Sequence, residues 1–312
     1  MEEKTMIQSI EKQFAGRPLV IETGRMARQA AGSALIQYVD TVLLVAATVQ
    51  DRPTHLPFFP LTVEYREKTY AAGKIPGGFF KREGRPAEKE ILSARLIDRP
   101  LRPLFPDGFM HETQVACFPM SADQENDADV WGLLGASLSL NMSNIPFNTL
   151  VAGVRIGRIQ GNWVLNPTFQ QLEYSDVDIV VAGTEDALLM VEGGAIEVPE
   201  EEILAGLEVA HTGIKELIEI QKEILPESGV PDMEWTPVLP DEVLKAKVQG
   251  LANSRVAEAL QLSEKQERSQ AMASIQEDIL TQLLEENDEY AEQQGDIKEV
   301  LRGIEKETMR ER

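Results

Sequence analysis

Apolar positions between residues 19 and 65 fall into short runs that are rich in β-branched residues and are separated by glycine or aspartate turns. Such runs are typical of β-strands. The predicted strands are LVIETG, SALIQYVDT, TVLLVAATVQ and PLTVEYRE.

The pattern then changes to helical spacing. From Glu88 onward, Ile91, Leu92 and Leu96 predict a short helix, which should end near Asp98 because Pro100 disfavours helical backbone at the residue before it. VWGLLGASLSLNMS, residues 130–143, has no charged residue and predicts a helix that is buried against a sheet.

Two hairpins and a long helix are predicted next. LVAGVRIGRIQGNWVLNP and DIVVAGTEDALLMVEGG each predict two strands, with turns at residues 160–162 and 184–186. The helix that follows is amphipathic. Pro199 can occupy its first position, and the three glutamates of its first turn suit the helix dipole.

Four prolines between residues 226 and 240 indicate a linker. Residues 241–312 then lose the strand pattern and predict three or four helices. The predicted fold class is therefore α+β, with mixed sheets and helices in a domain at 1–235 and a small all-α domain at 236–312.

The chain of 312 residues carries a net charge of −22, which argues against general coating of nucleic acid. Its single cysteine, Cys117, lies in an apolar stretch and is expected to be a buried, inert thiol. His55, His111 and His211 are isolated, without metal-ligand spacing. The absence of a signal-peptide pattern and of any long apolar run favours a cytoplasmic protein without membrane contact.

Charge is unevenly distributed. Residues 66–102 hold ten Lys/Arg and five acidic residues, a balance of +5, whereas residues 197–312 carry −16. The helical domain is therefore not expected to bind RNA. A solvated helix of mixed charge would also explain the positive segment.

Within the positive segment, GGFFKREGRP places two phenylalanines beside three cations. Aromatic rings stack on bases and cations hold phosphates, so Phe79, Phe80, Lys81, Arg82 and Arg85 are candidate contacts for single-stranded nucleic acid. The glycines Gly73, Gly77 and Gly78 would let the loop bend. A protein-binding loop is also compatible with these residues.

AAGKIPGGFFKREGRPAEKEILSARLIDRPLRPLFPDGF, residues 71–109, resembles the first core domain of the bacterial polynucleotide phosphorylase family, and TGRMARQAAGSALIQYVDTVLLVAATV resembles the opening of that domain. The resemblance implies a ribonuclease-PH-like core followed by a helical domain. It also implies a homotrimeric ring that degrades RNA from the 3′ end with phosphate and Mg²⁺, releasing nucleoside diphosphates. The chain would be the N-terminal part of such an enzyme, and its aromatic loop would line the RNA entrance.

The same resemblance implies that this core lacks a catalytic or metal site. Where the family's second core has a serine-rich phosphate-binding segment, this chain has residues 126–129, NDAD. Where the second core has its aspartate and lysine run, this chain has Asp176 and Asp178 but Val180 at the lysine position and Leu172 at an earlier aspartate position. Asp176 and Asp178 are also compatible with turn or solvent-facing roles.

Three further arginines, Arg95, Arg99 and Arg102, are candidate RNA or phosphate contacts, with ion pairing to Glu88, Glu90 or Asp98 as the alternative. Three functions remain open. The chain could be part of a phosphorolytic exoribonuclease, working with other ribonucleases or helicases. It could be a non-catalytic RNA-binding ring subunit that is complete at 312 residues, or a structural assembly module.

Overall fold

The computed structural model describes residues 7–82, 84–226, 230–291 and 293–311. The chain forms two compact units, the first extending to Trp235 and the second beginning at Thr236. Within the described ranges, no helix has both the length and the apolar character needed to cross a bilayer.

The first unit contains two sheets and the helices that pack on them. Its strands are β1 (Gln8–Phe14), β2 (Arg17–Thr23), β3 (Gly32–Tyr38), β4 (Thr41–Pro53), β5 (Leu61–Tyr65), β6 (His111–Ser121), β7 (Ala152–Ile159), β8 (Asn162–Leu165), β9 (Val177–Gly183) and β10 (Leu188–Ala195). Its helices are α1 (Phe79–Arg82), α2 (Glu88–Leu101), α3 (Asp129–Asn141), α4 (Phe169–Leu172) and α5 (Glu200–Ile224), with 3₁₀ turns at Thr69–Ala72 and Arg102–Leu104.

The larger sheet has the strand order β1-β2-β3-β4-β6-β5, and the smaller one has the order β10-β9-β7-β8. All pairings are antiparallel except that of β5 with β6, which is parallel. Burial alternates residue by residue along β2, β3 and the first half of β4, so one face of the larger sheet covers the core.

Helix α3 lies in this core and contacts β3 and β4 of the larger sheet and β7 of the smaller sheet. Nearly all of its residues are buried, so the helix has no solvent-facing polar side. Its close approach to the larger sheet requires a glycine at residue 135, where a Cβ would lie 2.5 Å from Cγ2 of Val45. Trp131 of α3 packs on Phe14 and Tyr38, with ring centroids 6.0 and 4.1 Å away.

The second unit has its own apolar core between α6 (Glu242–Ala259), α7 (Lys265–Glu286) and α8 (Gln294–Arg310), with a 3₁₀ turn at Asp288–Ala291. Buried residues of α6 recur every fourth position from Leu244 to Val256. The Asp241 side chain caps α6 by accepting hydrogen bonds from the backbone N–H groups of Val243 and Leu244, at 3.0 and 3.1 Å.

The α+β prediction is confirmed, as are the four early strands, both hairpins and the buried helix. The predicted end of α2 near Asp98 is wrong, because the helix continues through Pro100 to Leu101. Both residues are buried, and the backbone N–H of Arg102 still donates to the Asp98 carbonyl, so packing overrides the local preference. Helix α5 begins one residue later than predicted, with Pro199 at the N-cap position.

Candidate nucleic-acid interface

The first part of the positive segment, at the described residues 66–82 and 84–87, forms a loop between β5 and α2, and most of the remainder is α2 itself. The loop contains the 3₁₀ turn Thr69–Ala72 and the one-turn helix α1. Gly73 and Gly77 have φ angles of 67° and 73°, in the left-handed region that favours glycine. The expected bends are therefore present at these two positions.

Both ends of this loop are held by one buried carboxylate. Glu90, in the first turn of α2, accepts a hydrogen bond from the backbone N–H of Glu67 at 2.8 Å and another from that of Ala87 at 2.6 Å. Arg66 adds to this clamp because its guanidinium donates to the Gly84 carbonyl at 3.1 Å and lies 3.7 Å from Glu90. The loop therefore projects from a fixed base.

The loop exposes aromatic and apolar side chains. Phe79 is 64% exposed and Tyr70 is 50% exposed, and Ile75 is exposed as well. The Phe79 ring is therefore accessible, and its RNA contact stays a prediction. The side chains of Phe80 and Lys81 lie outside the described residues, so their predicted RNA contacts stay predictions.

The remaining candidate arginines fall into two groups. Arg82, Arg85 and Arg95 are exposed, and none of the three has a carboxylate partner among the residues that the structure describes. Arg99 is instead paired with Glu192 of β10. The positive charge of the first group is therefore available to an outside anion, whereas that of Arg99 is already paired.

Arg102 belongs with the paired arginines. Its guanidinium binds Asp98 through two nitrogens, at 3.0 and 2.6 Å, and donates to the carbonyls of Phe59 and Leu61 at 3.0 Å each. It also lies over the Phe59 ring. These contacts give Arg102 an architectural role, consistent with the ion-pair alternative, and its RNA contact remains a prediction.

A cleft of about 330 Å³ lies beneath the loop. Its walls include Tyr70 and four basic side chains. The basic residues are Arg66, Lys68, Arg82 and Arg85. This cleft brings together two candidate arginines with Tyr70 and Lys68, which the sequence did not single out.

A second charged site lies where residues 127–129 approach β7 and β9. Arg155 of β7 lies 2.6 Å from Asp129, 2.7 Å from Asp178 and 3.5 Å from Asp127. Lys89 of α2 lies 3.3 Å from Asp127 and 3.1 Å from Glu67. We call Asp127, Asp129, Asp178 and Arg155 the acidic cluster.

Burial would lower the pKa of the Arg155 guanidinium, but Asp129, Asp178 and Asp127 outweigh it and raise that pKa. Burial, followed by repulsion from Asp127, raises the pKa of the Asp129 carboxyl against the attraction of Arg155. The three carboxylates of the cluster therefore share one guanidinium, and Arg155 offsets part of their charge.

The acidic cluster does not fit a Mg²⁺ and phosphate site. Its carboxylates are bound to Arg155 and Lys89, which already neutralise part of the charge that a cation would need. In the described part of the chain, no group of three or more His, Cys, Asp or Glu residues is placed to hold a metal ion. Asp176, the other candidate carboxylate, is paired with Arg158 at 3.4 Å.

Cys117 and the described histidine contacts are structural. The Cys117 side chain is fully buried, and this burial raises the pKa of its thiol. His111 Nδ1 lies 2.9 Å from the Gln50 carbonyl, and His211 Nε2 lies 3.1 Å from the Thr184 carbonyl.

Sequence reasoning missed Arg155 and Tyr70, and it named Glu90 only as a possible ion-pair partner, not as the clamp of the loop. Arg155 stands in an apolar strand with no local sign of its partners, so only the assembled fold shows its role. Tyr70 had a usable signal, because it is an aromatic residue within the positive segment.

Three family models match the chain. Residues 15–146 match the 3′ exoribonuclease family, domain 1, and residues 149–213 match domain 2 of that family. Residues 243–312 match the polyribonucleotide nucleotidyltransferase, RNA binding domain. That last description runs against the expectation, drawn from charge, that the helical unit does not bind RNA.

Curated relatives agree with these matches. A polyribonucleotide nucleotidyltransferase of Gemmatimonas aurantiaca is 55% identical over 288 residues, 92% of this chain and 39% of the relative. Those of Geobacillus kaustophilus and Thermus thermophilus are 47% and 46% identical, over 99% and 91% of this chain. The chain spans about two fifths of the length of these relatives.

The fold of the first unit is thus of the ribonuclease-PH type found in 3′ exoribonucleases. With the helical unit matched as well, the chain belongs to the polyribonucleotide nucleotidyltransferase family.

Proposed function

We propose that this chain is part of a phosphate-dependent 3′→5′ exoribonuclease and that its first unit guides single-stranded RNA without performing phosphorolysis. Family membership supports the reaction class. Arg82 and Arg85 have no carboxylate partner in the described part of the chain, and they support the guiding role because on a chain of net charge −22 they offer a local attraction for phosphates.

The single observation that carries the guiding role is the loop on its clamp. Phe79 is exposed, and Arg82 and Arg85 have no carboxylate partner in the described residues. An exposed ring beside free cations suits a flexible strand of bases and phosphates. In the whole protein, this loop would line the RNA entrance of a homotrimeric ring.

Catalysis would then belong to a second core of the whole protein, where Mg²⁺ and phosphate would bind. The acidic cluster supports this division, because Arg155 already pairs with the carboxylates that a metal would need. The protein would act in the cytoplasm, alone or with other ribonucleases or helicases.

Two measurements on the 312-residue chain test the proposal. Fluorescence anisotropy should show salt-sensitive binding of single-stranded RNA. Incubation with poly(A), phosphate and Mg²⁺ should release no nucleoside diphosphate. Turnover by the pure chain would contradict the placement of catalysis, and binding that is insensitive to salt would contradict the guiding role.

The non-catalytic ring subunit remains the alternative. A reading frame that continues into a second core with a serine-rich segment and an aspartate and lysine run would decide for the enzyme. A frame that ends after residue 312 would decide for the binding subunit.

A second RNA contact in the helical unit is favoured by the description of the family model at residues 243–312. Ultraviolet cross-linking of RNA to the full chain, followed by peptide mapping, separates the two sites. Cross-links in the loop alone would uphold the expectation from charge, and cross-links within 243–312 would overturn it.

A further inference from the structure

We propose that the cleft beneath the loop binds one nucleotide of the RNA, with its base stacked on Tyr70 and its phosphate held by Lys68, Arg82 and Arg85. The identity of the ligand rests on the proposed function. The site itself rests on the charges, ring and walls of the cleft.

The charge of the cleft is not cancelled by its own acidic residues. Glu90 accepts backbone N–H groups and faces Arg66, and Glu67 is paired with Lys89. After these pairs are removed, the ammonium of Lys68 and the guanidinium groups of Arg82 and Arg85 remain without carboxylate partners in the described residues. An anion is therefore the ligand that the cleft favours.

Tyr70 makes the cleft suitable for a base. Half of its surface is exposed, and its hydroxyl lies 3.7 Å from the Met120 sulfur, which steadies one end of the ring. Phe79 is not among the residues that line the cleft, so Tyr70 would be a separate stacking surface. An aromatic ring beside cations is the combination that binds single-stranded nucleic acid without sequence preference.

The walls of the cleft are fixed before any ligand arrives. The backbone N–H of Ala122, which follows β6, donates to the Ala71 carbonyl at 3.0 Å and ties the 3₁₀ turn to the larger sheet. The Glu90 clamp holds the backbone at Glu67, which also lines the cleft. A volume of about 330 Å³ lies within the range of small-molecule sites, about 300–1,000 Å³.

The decisive experiment measures binding of a short oligoadenylate to the full chain by anisotropy at several salt concentrations. Tyr70→Ala should weaken binding about 5- to 100-fold, and Tyr70→Phe should restore it because the ring is kept. Tyr174→Ala removes an exposed tyrosine ring that does not line the cleft and should leave affinity unchanged. Lys68→Gln should lower the salt slope by about 0.7.

Titrations with AMP, ribose 5-phosphate and inorganic phosphate, followed by NMR, identify the part of the nucleotide that is recognised. AMP should bind more tightly than ribose 5-phosphate in wild type, and Tyr70→Ala should abolish that difference. Equal binding of all three by wild type would overturn the base-stacking assignment and leave a bare phosphate site.

Failure of the cleft and failure of the proposed function give different results. If Tyr70→Ala and Lys68→Gln bind RNA like wild type while Arg82→Gln weakens it, the cleft assignment is overturned and the guiding loop stands. If wild type prefers polyglutamate to RNA of equal charge, both are overturned, because the loop then binds acidic protein.

Discussion

The loop and the acidic cluster use arginine in opposite ways, although both flank the start of α2. In the cluster, Arg155 forms ion pairs with three carboxylates, which neutralise its positive charge. In the loop, Arg82 and Arg85 have no carboxylate partner among the described residues. Lys89 lies between the two regions, bridging Glu67 of the loop to Asp127 of the cluster. An arginine without a carboxylate partner can attract an outside anion, whereas one surrounded by carboxylates stabilises the fold.

The largest expected effect comes from breaking the cluster. Arg155→Met should lower the free energy of unfolding by about 3–5 kcal/mol, because the buried Asp129 carboxylate loses the guanidinium that it pairs with. Urea denaturation measures the loss. Arg99→Met, at an exposed pair with Glu192, is the control and should cost at most about 1 kcal/mol. An equal decrease in the free energy of unfolding in both variants would show that the cluster contributes no more to stability than an exposed ion pair.

A smaller effect is expected from the clamp. Glu90→Ala should speed hydrogen exchange at the Glu67 and Ala87 amides, since each hydrogen bond to a carboxylate contributes about 1.5–3 kcal/mol. RNA affinity should fall with it. Glu88→Ala, at an exposed neighbour in the same turn, should change neither quantity. Unchanged exchange in Glu90→Ala would show that the loop base is held by other contacts.

The free and paired arginines can be compared directly. Arg82→Gln combined with Arg85→Gln should lower the salt slope of RNA binding by about 1.4, or 0.7 for each phosphate contact. Arg25→Gln combined with Arg99→Gln removes the same charge from residues paired with Glu22 and Glu192, and should leave the slope unchanged. A similar fall in both double variants would mean that net charge, rather than the loop, attracts RNA.

The smallest effect concerns the segment that carries Asp127. Burial raises the pKa of the Asp123 carboxyl, but hydrogen bonds from Asn126, Glu125 and Thr41 outweigh this and lower it. A carboxyl whose pKa is lowered by folding stabilises the folded state at pH values above its pKa in the unfolded chain, about 3.9. This stabilisation is lost as the pH falls through the pKa of the folded state.

The stability advantage of wild type over Asp123→Asn should therefore be present at pH 7 and shrink as the pH approaches 3. Urea midpoints at the two pH values measure it, and Asp186→Asn, on an exposed turn, is the control. A difference that grows on acidification would contradict the assigned direction.

The sequence predicted the parts whose signals are local. Alternation revealed the strands whose one face is buried, and composition revealed the loop. Strand β1 was not predicted, because it pairs with β2 alone and most of its polar residues are exposed, so no alternation of apolar and polar residues marks it. Strand β6 escaped because its buried face includes His111, Thr113 and Pro119, which are not typical of a central strand.

The cluster could not be predicted because three separate segments supply it. Asp129 begins α3, Arg155 lies on β7 and Asp178 lies on β9, and only the packing of α3 on the smaller sheet joins them. The bonds of Arg102 with the Phe59 and Leu61 carbonyls likewise depend on the packing of α2 beside β5.

Those Arg102 bonds have a consequence for aggregation. Strand β5 is an edge of the larger sheet, and the Pro60 carbonyl accepts from Thr113 of β6, so the next carbonyl along, that of Leu61, faces away from the sheet. An unpaired strand edge is a template for strand addition by another chain. Because Arg102 already occupies the Leu61 carbonyl, an incoming strand would have to displace a guanidinium and its Asp98 partner, and the edge is protected without a proline or a bulge at that position.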